Sequence, residues 1–263
     1  MPQARAMSRW ILLRGLTREA RHWGAFAERL RGMGGAFADR VTLIDLPGNG
    51  AEWMQKAPLD VRAMTAFVRA RAADRGVAPP YRLIAMSLGG MVATEWAQRH
   101  PDEIERLVLI NTSMRPFARV TERLRPAAWP ALVRVAAAWP DAPRSEAIIH
   151  ALTCNRRDTA AADIAHWADI RRSARVNAAN GVRQLLAAAR FRADAAAPRC
   201  PTLLLSSAAD RLVDPVCSVR IASQWHASHA AHPWAGHDLP HDDPDWTSQA
   251  IGDWLAAVDR SAP

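Results

Sequence analysis

Short apolar segments that end in turn or polar residues recur along the chain, and they constrain its fold more than any other feature. Five are clear, namely "RWILLRG", "RVTLIDLPGNG", "YRLIAMS", "ERLVLINTS" and "CPTLLLSSAAD", and a weaker one, "SHAAHPWAGH", follows them. Amphipathic helical patterns separate these segments; in the first pattern Trp23, Phe26 and Leu30 recur at three- and four-residue intervals. Strands that alternate with helices predict an α/β protein with a mostly parallel, doubly wound sheet of about six strands.

The alternation stops between residues 114 and 197. The stretches "PAAWPALVRVAAAW", "RSEAIIHALT", "TAAADIAHWADIRRSA" and "NGVRQLLAAARF" all have helical periodicity, and the next strand-like segment is "CPTLLL". We therefore predict an α/β core formed by residues 1–113 and 198–263. Residues 114–197 are predicted to be a helical cap inserted between two strands of that core.

Composition argues against nucleic-acid and membrane partners. The net charge of +8 comes from arginine, because Lys56 is the only lysine among 34 basic residues. The arginines are dispersed and are not interleaved with aromatic residues, so we expect no nucleic-acid partner. No segment approaches the roughly 20 apolar residues of a membrane span, and the first 15 residues lack the pattern of a signal peptide. We expect a cytoplasmic protein without a membrane partner.

The cysteines and a histidine-rich stretch are candidate metal ligands. Three cysteines are widely separated, without a CxxC pair, which is typical of free thiols: Cys154, Cys200 and Cys217. Three histidines recur at intervals of three residues: His226, His229 and His232. Because that stretch has the pattern of a helix end followed by a strand, its side chains should point to opposite faces. We expect neither a metal nor a cofactor.

Ser87 stands where an apolar strand pattern changes into a helical one, with Ala85 and Gly89 two positions away on either side. A serine hydroxyl is a poor nucleophile until a histidine, oriented by a third group, takes its proton. Active sites of open parallel sheets lie beyond the carboxyl ends of the strands. Asp210 and His237 also follow strand-like segments. Along the chain, the three candidate residues occur in the order serine, acid, histidine.

With these motifs the chain resembles the α/β-hydrolase family along most of its length. "AMSLGG" is similar to the family's nucleophile elbow, usually G-x-S-x-G, in which only small residues fit beside the serine. "DLPGNG" resembles a turn that follows an earlier strand in this family. "SSAADRLVDP" resembles the turn of the triad acid, and "WAGHDLPHDDPDW" resembles the histidine loop. The resemblance implies Ser87 as nucleophile, Asp210 as acid and His237 as base.

Two other polar residues stand near the family's acid positions. Asp214 is the nearest alternative to Asp210, but it lies past the turn. Asn111 occupies the other position where this family can carry its acid. The resemblance also implies an oxyanion hole formed by the backbone N–H groups of Leu16 and Leu88.

Arg14 is the main departure from the family pattern, because it precedes Gly15 where histidine is usual. It could bind an acidic group of the substrate at the mouth of the pocket. A structural ion pair with Asp45 or Asp238 is the alternative that we favour. Three tryptophans of the predicted cap could line the pocket or pack between helices: Trp129, Trp139 and Trp167.

The resemblance implies a serine hydrolase that cleaves a carboxylic ester of a small molecule or a carrier-linked acyl group. Within the family the chain is most similar to the carboxylesterases that demethylate pimeloyl-carrier-protein esters. The same triad could serve a thioesterase, a C–C hydrolase or an acyltransferase, whereas a serine at the nucleophile position disfavours a dehalogenase. An alternative of another class is a non-catalytic binding protein with this fold. The sequence does not indicate an oligomeric state.

Overall fold

A single parallel sheet forms the centre of the molecule. The computed structural model describes residues 9–34, 37 and 41–261. Six strands have the order β2-β1-β3-β4-β5-β6, and all five neighbouring pairs are parallel. The strands are β1 Arg9–Leu13, β2 Val41–Ile44, β3 Tyr81–Met86, β4 Ile104–Ile110, β5 Thr202–Ser207 and β6 Ser228–His232. This confirms the predicted α/β class and strand number.

Helices connect the strands and cover both faces of the sheet. In the described part of the chain they are α1 Gly24–Gly32, α2 Val61–Asp74, α3 Leu88–Arg99, α4 Val120–Arg123, α5 Trp129–Ala137, α6 Ala142–Thr153, α7 Ala160–Ser173, α8 Ala178–Arg190, α9 Val216–Trp225, α10 Leu239–Asp242 and α11 Pro244–Ser261. Short 3-10 turns lie at Ala20–Trp23, Gly50–Glu52, Pro101–Glu103 and Pro126–Ala128.

The central strands, such as β1, are apolar on both faces because both of their faces are buried. Ile11 and Leu13 of β1 belong to the apolar cluster that includes α2, α3 and α9. Their neighbours Trp10 and Leu12 belong to the opposite cluster, with α1 and α11. Side chains alternate between faces along a strand, so an uninterrupted apolar run fills two layers at once.

The strand register brings the carboxyl ends of the central strands to one edge. Leu13 at the end of β1 pairs with Ala85 of β3, and Ala85 pairs with Leu109 of β4. Ile110 in turn pairs with Leu205 of β5. The loops that begin after these residues therefore share one rim, which is where a parallel sheet places its functional groups.

Residues 114–197, which we call the helical segment, contain α4 to α8 and lie between β4 and β5. No strand is found among the described residues of this segment, in agreement with its helical pattern. Whether it forms a separate domain with the predicted boundaries stays a prediction.

The predicted lack of a signal peptide concerns residues that lie mostly outside the described part of the chain. None of the described helices has both the length and the apolarity to cross a membrane.

Candidate active site

Ser87 lies in a sharp turn between β3 and α3 with a backbone conformation that a serine rarely adopts. Its φ is 54° and its ψ is −119°. The Ser87 N–H donates to the Ile110 carbonyl at 3.0 Å, and the Thr112 hydroxyl donates to the Ser87 carbonyl at 2.8 Å. These bonds hold the residue in its strained geometry, as is common at functional turns.

Two glycines allow the loop after β1 to lie against this turn. A Cβ added at Gly89 would lie 2.5 Å from the Leu13 carbonyl oxygen, which real Cβ atoms do not approach. A Cβ added at Gly15 would lie 3.0 Å from the Ser87 Cβ. The small residues predicted around the serine therefore permit contact between backbone segments, and this contact brings Leu16 to the nucleophile turn.

Asp210 and His237 form a buried pair. The His237 Nδ1 lies 2.7 Å from the Asp210 Oδ2, and both residues are at most 4% exposed. The other carboxylate oxygen, Oδ1, accepts the backbone N–H groups of Leu212 at 2.7 Å and Val213 at 2.9 Å. Asp214, the alternative acid, instead accepts a backbone N–H at the start of α9. The carboxylate that meets the histidine is therefore Asp210.

Asn111 makes side-chain contacts with the His237 loop that its sequence position did not indicate. Its Nδ2 donates to the backbone carbonyl of His237 at 2.8 Å and to the Ser207 Oγ at 2.9 Å, while its Oδ1 accepts the Ser207 N–H. It also has a positive φ of 44°, which asparagine tolerates better than most residues. The available signal was a polar residue at the end of a buried strand.

Arg14 forms the ion pair that the sequence analysis favoured as its structural role. Its guanidinium donates to both carboxylate oxygens of Asp238, at 3.0 and 2.5 Å, and lies 4.9 Å from the ring centre of Trp23. Burial would by itself raise the pKa of Asp238, but the Arg14 guanidinium holds it below its ordinary value. Asp45, the other candidate partner, accepts two backbone N–H groups instead.

A cavity of about 430 Å³ opens beside the nucleophile turn, and Ser87, His237, Leu16 and Leu88 all contribute to its wall. Arg14 also lines this cavity. Most of the remaining wall comes from apolar side chains of the helical segment, including Leu132, Val135, Ile149, Leu152, Val182 and Leu185. Trp129 and Trp139 line the cavity as well. Trp167 does not: it is buried beside Cys154 and Ile170.

The free thiols are poorly suited to nucleophilic chemistry. Burial raises the pKa of Cys200 to about 11 and that of Cys217 to about 12. The pKa of Cys154 is also raised well above its ordinary value by burial. A thiol that stays protonated is a weak nucleophile, so these residues do not compete with Ser87.

The histidine-rich stretch does not form a cluster in the described structure. His229 lies 2.9 Å from the Ser206 Oγ, whereas His232 accepts the backbone N–H of Ala235 and faces Asp243. A different group comes together instead. The ligand atoms of His150, Cys154 and His241 all lie within 4.8 Å of one another. No local sequence pattern marks this group, because His241 lies far from His150 and Cys154 along the chain.

The wholly parallel sheet, the strained serine turn and the buried Asp–His pair define the class of the α/β-hydrolases. The family model described as "Serine aminopeptidase, S33" matches residues 11–243, so the chain belongs to this family of α/β-hydrolases. The expectation of an α/β-hydrolase-type enzyme is confirmed at the level of the family.

Curated relatives match a shorter region. A pimeloyl-[acyl-carrier protein] methyl ester esterase of Chromobacterium violaceum is 36% identical over 97 residues, which cover 36% of this chain and 34% of that protein. The enzyme of the same name from Neisseria meningitidis serogroup C is 38% identical over 82 residues, covering 31% and 28%. The chain thus matches about a third of the length of these relatives.

Solved structures share the fold over almost the whole chain. A membrane phospholipase A described as a bacterial virulence factor has a TM-score of 0.78 at 23% identity, covering 97% of this chain and 80% of its own. The enol-lactonase from Burkholderia xenovorans LB400 has a TM-score of 0.75 at 19% identity, covering 95% and 92%. A thermophilic esterase from Thermogutta terrifontis has a TM-score of 0.70 at 23% identity, covering 95% and 90%.

Proposed function

We propose that the protein hydrolyses carboxylic esters through an acyl-enzyme formed on Ser87. The observation that carries this proposal is the 2.7 Å contact between His237 Nδ1 and Asp210, made by a histidine that lines the same cavity as the strained serine turn. A histidine held by an acid through Nδ1 presents Nε2 as the base. The family membership and the esterases among its relatives support the same reaction class.

In this mechanism the Ser87 hydroxyl attacks the ester carbonyl while His237 Nε2 takes its proton. Asp210 fixes the tautomer of the ring and stabilises the imidazolium that forms. The backbone N–H groups of Leu16 and Leu88 stabilise the oxyanion, and Leu88 adds the field of the α3 N-terminus. The imidazolium then protonates the leaving alcohol. Water, activated by His237, finally releases the acid from the serine.

The cavity supports a substrate with an apolar acyl group. Its volume of about 430 Å³ lies within the range of small-molecule sites. Its lining is mainly aliphatic and aromatic. Two of its arginines are already in ion pairs, Arg18 with Glu146 and Arg14 with Asp238. We infer that Arg14 shapes the pocket wall through this ion pair and that the helical segment acts as the cap over the acyl group.

A carrier-linked ester is the second candidate substrate, and a basic cleft favours it. An open cleft of about 800 Å³ lies beside Asp210 and is lined by four arginines: Arg125, Arg134, Arg144 and Arg211. No side-chain ion pair of Arg134 or Arg144 occurs within the described residues. Free guanidinium groups beside a catalytic pocket would attract the acidic surface of a carrier domain. The curated relatives named above are esterases of such carrier-linked esters.

Hydrolysis of p-nitrophenyl esters from acetate to dodecanoate tests the reaction, with Ser87→Ala compared against wild type. We expect the variant to lose at least about 10⁴-fold in kcat, because it lacks the nucleophile. Ser113→Ala is the matched control, because Ser113 is buried and lines the same cavity. Its rate should stay within about tenfold of wild type. Retained turnover in Ser87→Ala would overturn the assignment.

Two further measurements separate the alternatives. Labelling by a fluorophosphonate without turnover of any ester would indicate an activated serine that serves a thioester, a C–C bond or an acyl acceptor. Absence of labelling would favour a binding protein. Aminoacyl p-nitroanilides test the peptidase activity that the family description names, and we expect them to be cleaved more slowly than the esters.

A further inference from the structure

A second group of chemically active side chains lies beside the candidate active site, where the helical segment meets the histidine loop. It consists of His150 of α6, Cys154, which directly follows α6, and His241 of α10. His150 is 1% exposed, and its Nε2 is a buried nitrogen without a hydrogen-bond partner in the described structure. Such a nitrogen is costly in a folded protein unless something binds it.

The three residues have ligand chemistry and spacing that suit a metal ion. His150 lies in the last turn of α6 and Cys154 directly follows the helix, and the Cys154 N–H donates to the His150 carbonyl at 2.8 Å, which keeps the two residues close together. All three ligand atoms lie within 4.8 Å of one another. Donors around a tetrahedral zinc ion at about 2.0–2.3 Å are separated by roughly 3.3–3.8 Å, so the side chains would close in by about 1 Å.

Asp163 supplies a negative charge at the same place. Its Oδ2 lies 3.1 Å from the His241 Nε2 and 3.6 Å from the His150 Nε2. Binding of a divalent cation would displace the proton of the Cys154 thiol into solvent. The cation, this thiolate and the nearby carboxylate would together make the buried site neutral overall, which limits the cost of burying the charge.

The backbone around these residues is held in place from both sides. The carboxylate of Asp242 accepts the N–H of Asn155, at 2.8 Å, and the N–H of Gly236, at 2.7 Å. Asp242 thereby joins the residue after Cys154 to the turn before the catalytic histidine. In addition, the Asp238 N–H donates to the Thr153 carbonyl at 2.8 Å. The loops that carry the ligands therefore need no large rearrangement.

We propose that His150, Cys154 and His241 bind a zinc ion that links helix α6 of the helical segment to the histidine loop of the core. Imidazole and thiolate ligands suit zinc better than magnesium or calcium, which prefer oxygen. Because His241 follows His237 by four residues, the ion would fix the histidine loop relative to the wall of the cavity. The proposal does not depend on ester hydrolysis.

Titration of the metal-free protein with Co²⁺ tests the site, because cobalt replaces zinc and reports thiolate ligation by absorption. We expect a single Co²⁺ per chain with a thiolate-to-cobalt charge-transfer band, displaced by Zn²⁺. Cys154→Ser should abolish the band. Cys217→Ser, which alters a cysteine of equal burial outside the cluster, should leave it intact.

Thermal unfolding provides a second readout. Zinc at about 100 times its Kd should raise the Tm of wild type by about 5 °C and should leave that of His241→Asn unchanged. His241 is partly exposed, so this variant is expected to fold even if Cys154→Ser does not. A wild-type protein that shows neither the band nor the shift would overturn the proposal, as would a band that persists in both ligand variants.

Discussion

Different interactions stabilise the sheet core and the helical segment. In the core, two apolar clusters fill the space between the strands and the helices on either face. In the helical segment the separate apolar cluster around Cys154, Trp167 and Ile170 is small. Much of its attachment to the core comes from buried polar and ionic contacts. Glu146 of α6, for example, accepts from Arg18 of the β1 loop at 2.6 Å and from Arg171 of α7 at 3.1 Å.

The two kinds of interaction have different consequences for the positions of the serine turn and of the helical segment. Apolar packing is non-directional and keeps the strand ends, and hence the serine turn, in place. Buried hydrogen bonds are directional and favour one arrangement of the segment over the loops. Gln184 of α8 shows this: it accepts the Thr17 N–H at 2.9 Å and donates to the Asn49 side chain at 2.9 Å. One segment side chain thus holds the loops that follow β1 and β2.

The largest expected effect is on kcat and comes from a substitution in the sheet core. Asp210→Asn should lower kcat for ester hydrolysis by about 10⁴-fold, because an amide no longer fixes the tautomer of His237 or stabilises its charge. Steady-state kinetics on the best ester, with circular dichroism to verify folding, measures it. Asp214→Asn is the control, since the Asp214 carboxylate accepts a backbone N–H at the start of α9 and not from His237. Equal losses in both variants would contradict the assignment of the acid.

The next effect concerns the attachment of the helical segment. Glu146→Gln should lower the free energy of unfolding by about 3 kcal/mol, because it leaves two buried guanidinium groups without their counter-charge. Urea unfolding followed by circular dichroism measures this change. The matched control is Asp169→Asn on α7, whose partner Arg172 is exposed. A loss in Glu146→Gln no larger than in this control would show that the ionic network contributes little.

The contribution of the Arg14–Asp238 ion pair to stability is expected to depend on pH. Because the pKa of Asp238 is lowered in the folded protein, its ion pair with Arg14 stabilises fully above the ordinary carboxyl pKa of about 4. This contribution is lost as the pH falls through the lowered pKa. Asp238→Asn should therefore be about 3 kcal/mol less stable than wild type near pH 7, and the difference should shrink towards pH 3.

Urea unfolding of both proteins at several pH values tests this expectation. Asp245→Asn is the control, because Asp245 pairs with Arg29 at the surface, where both side chains are at least 60% exposed. Its difference from wild type should be small at every pH. A constant difference between wild type and Asp238→Asn from neutral to acid pH would rule out the proposed linkage.

The core was predictable from sequence because its signals are local. An apolar run such as "YRLIAM" that stops at Ser87 specifies both a buried strand and the end at which a functional group is exposed. The small residues beside Ser87 are needed because neighbouring backbone segments approach it closely. Strand assignment and candidate triad positions could therefore be read from short stretches of chain.

For the helical segment, the sequence predicted the presence of helices but not how they pack. Helical periodicity does not say which face meets the cavity, so the roles of Trp129 and Trp167 could not be separated beforehand. Long-range partners could be predicted only in part: an ion pair of Arg14 was expected with either Asp45 or Asp238, and the sequence could not select Asp238, which is 224 residues away in the chain. The contact of Asn111 with the His237 carbonyl depends on how two loops meet in space. These features are fixed by tertiary packing and leave no local pattern.

The smallest expected effect tests which side chains of the helical segment face the substrate. Leu185 and Leu186 are neighbours on α8 with the same exposure of 41%, but of the two it is Leu185 that lines the cavity. Leu185→Ser should lower kcat/KM for long-chain esters by about 3- to 10-fold and have less effect on acetate, because it removes apolar surface from an acyl chain. Leu186→Ser should leave the chain-length profile unchanged. Stability should change by less than about 0.5 kcal/mol in either variant, since both leucines are substantially exposed.

Equal losses for short and long esters in Leu185→Ser would mean that the acyl chain does not extend along α8. In that case the helical segment would contribute to the architecture of the cavity without selecting the length of the substrate.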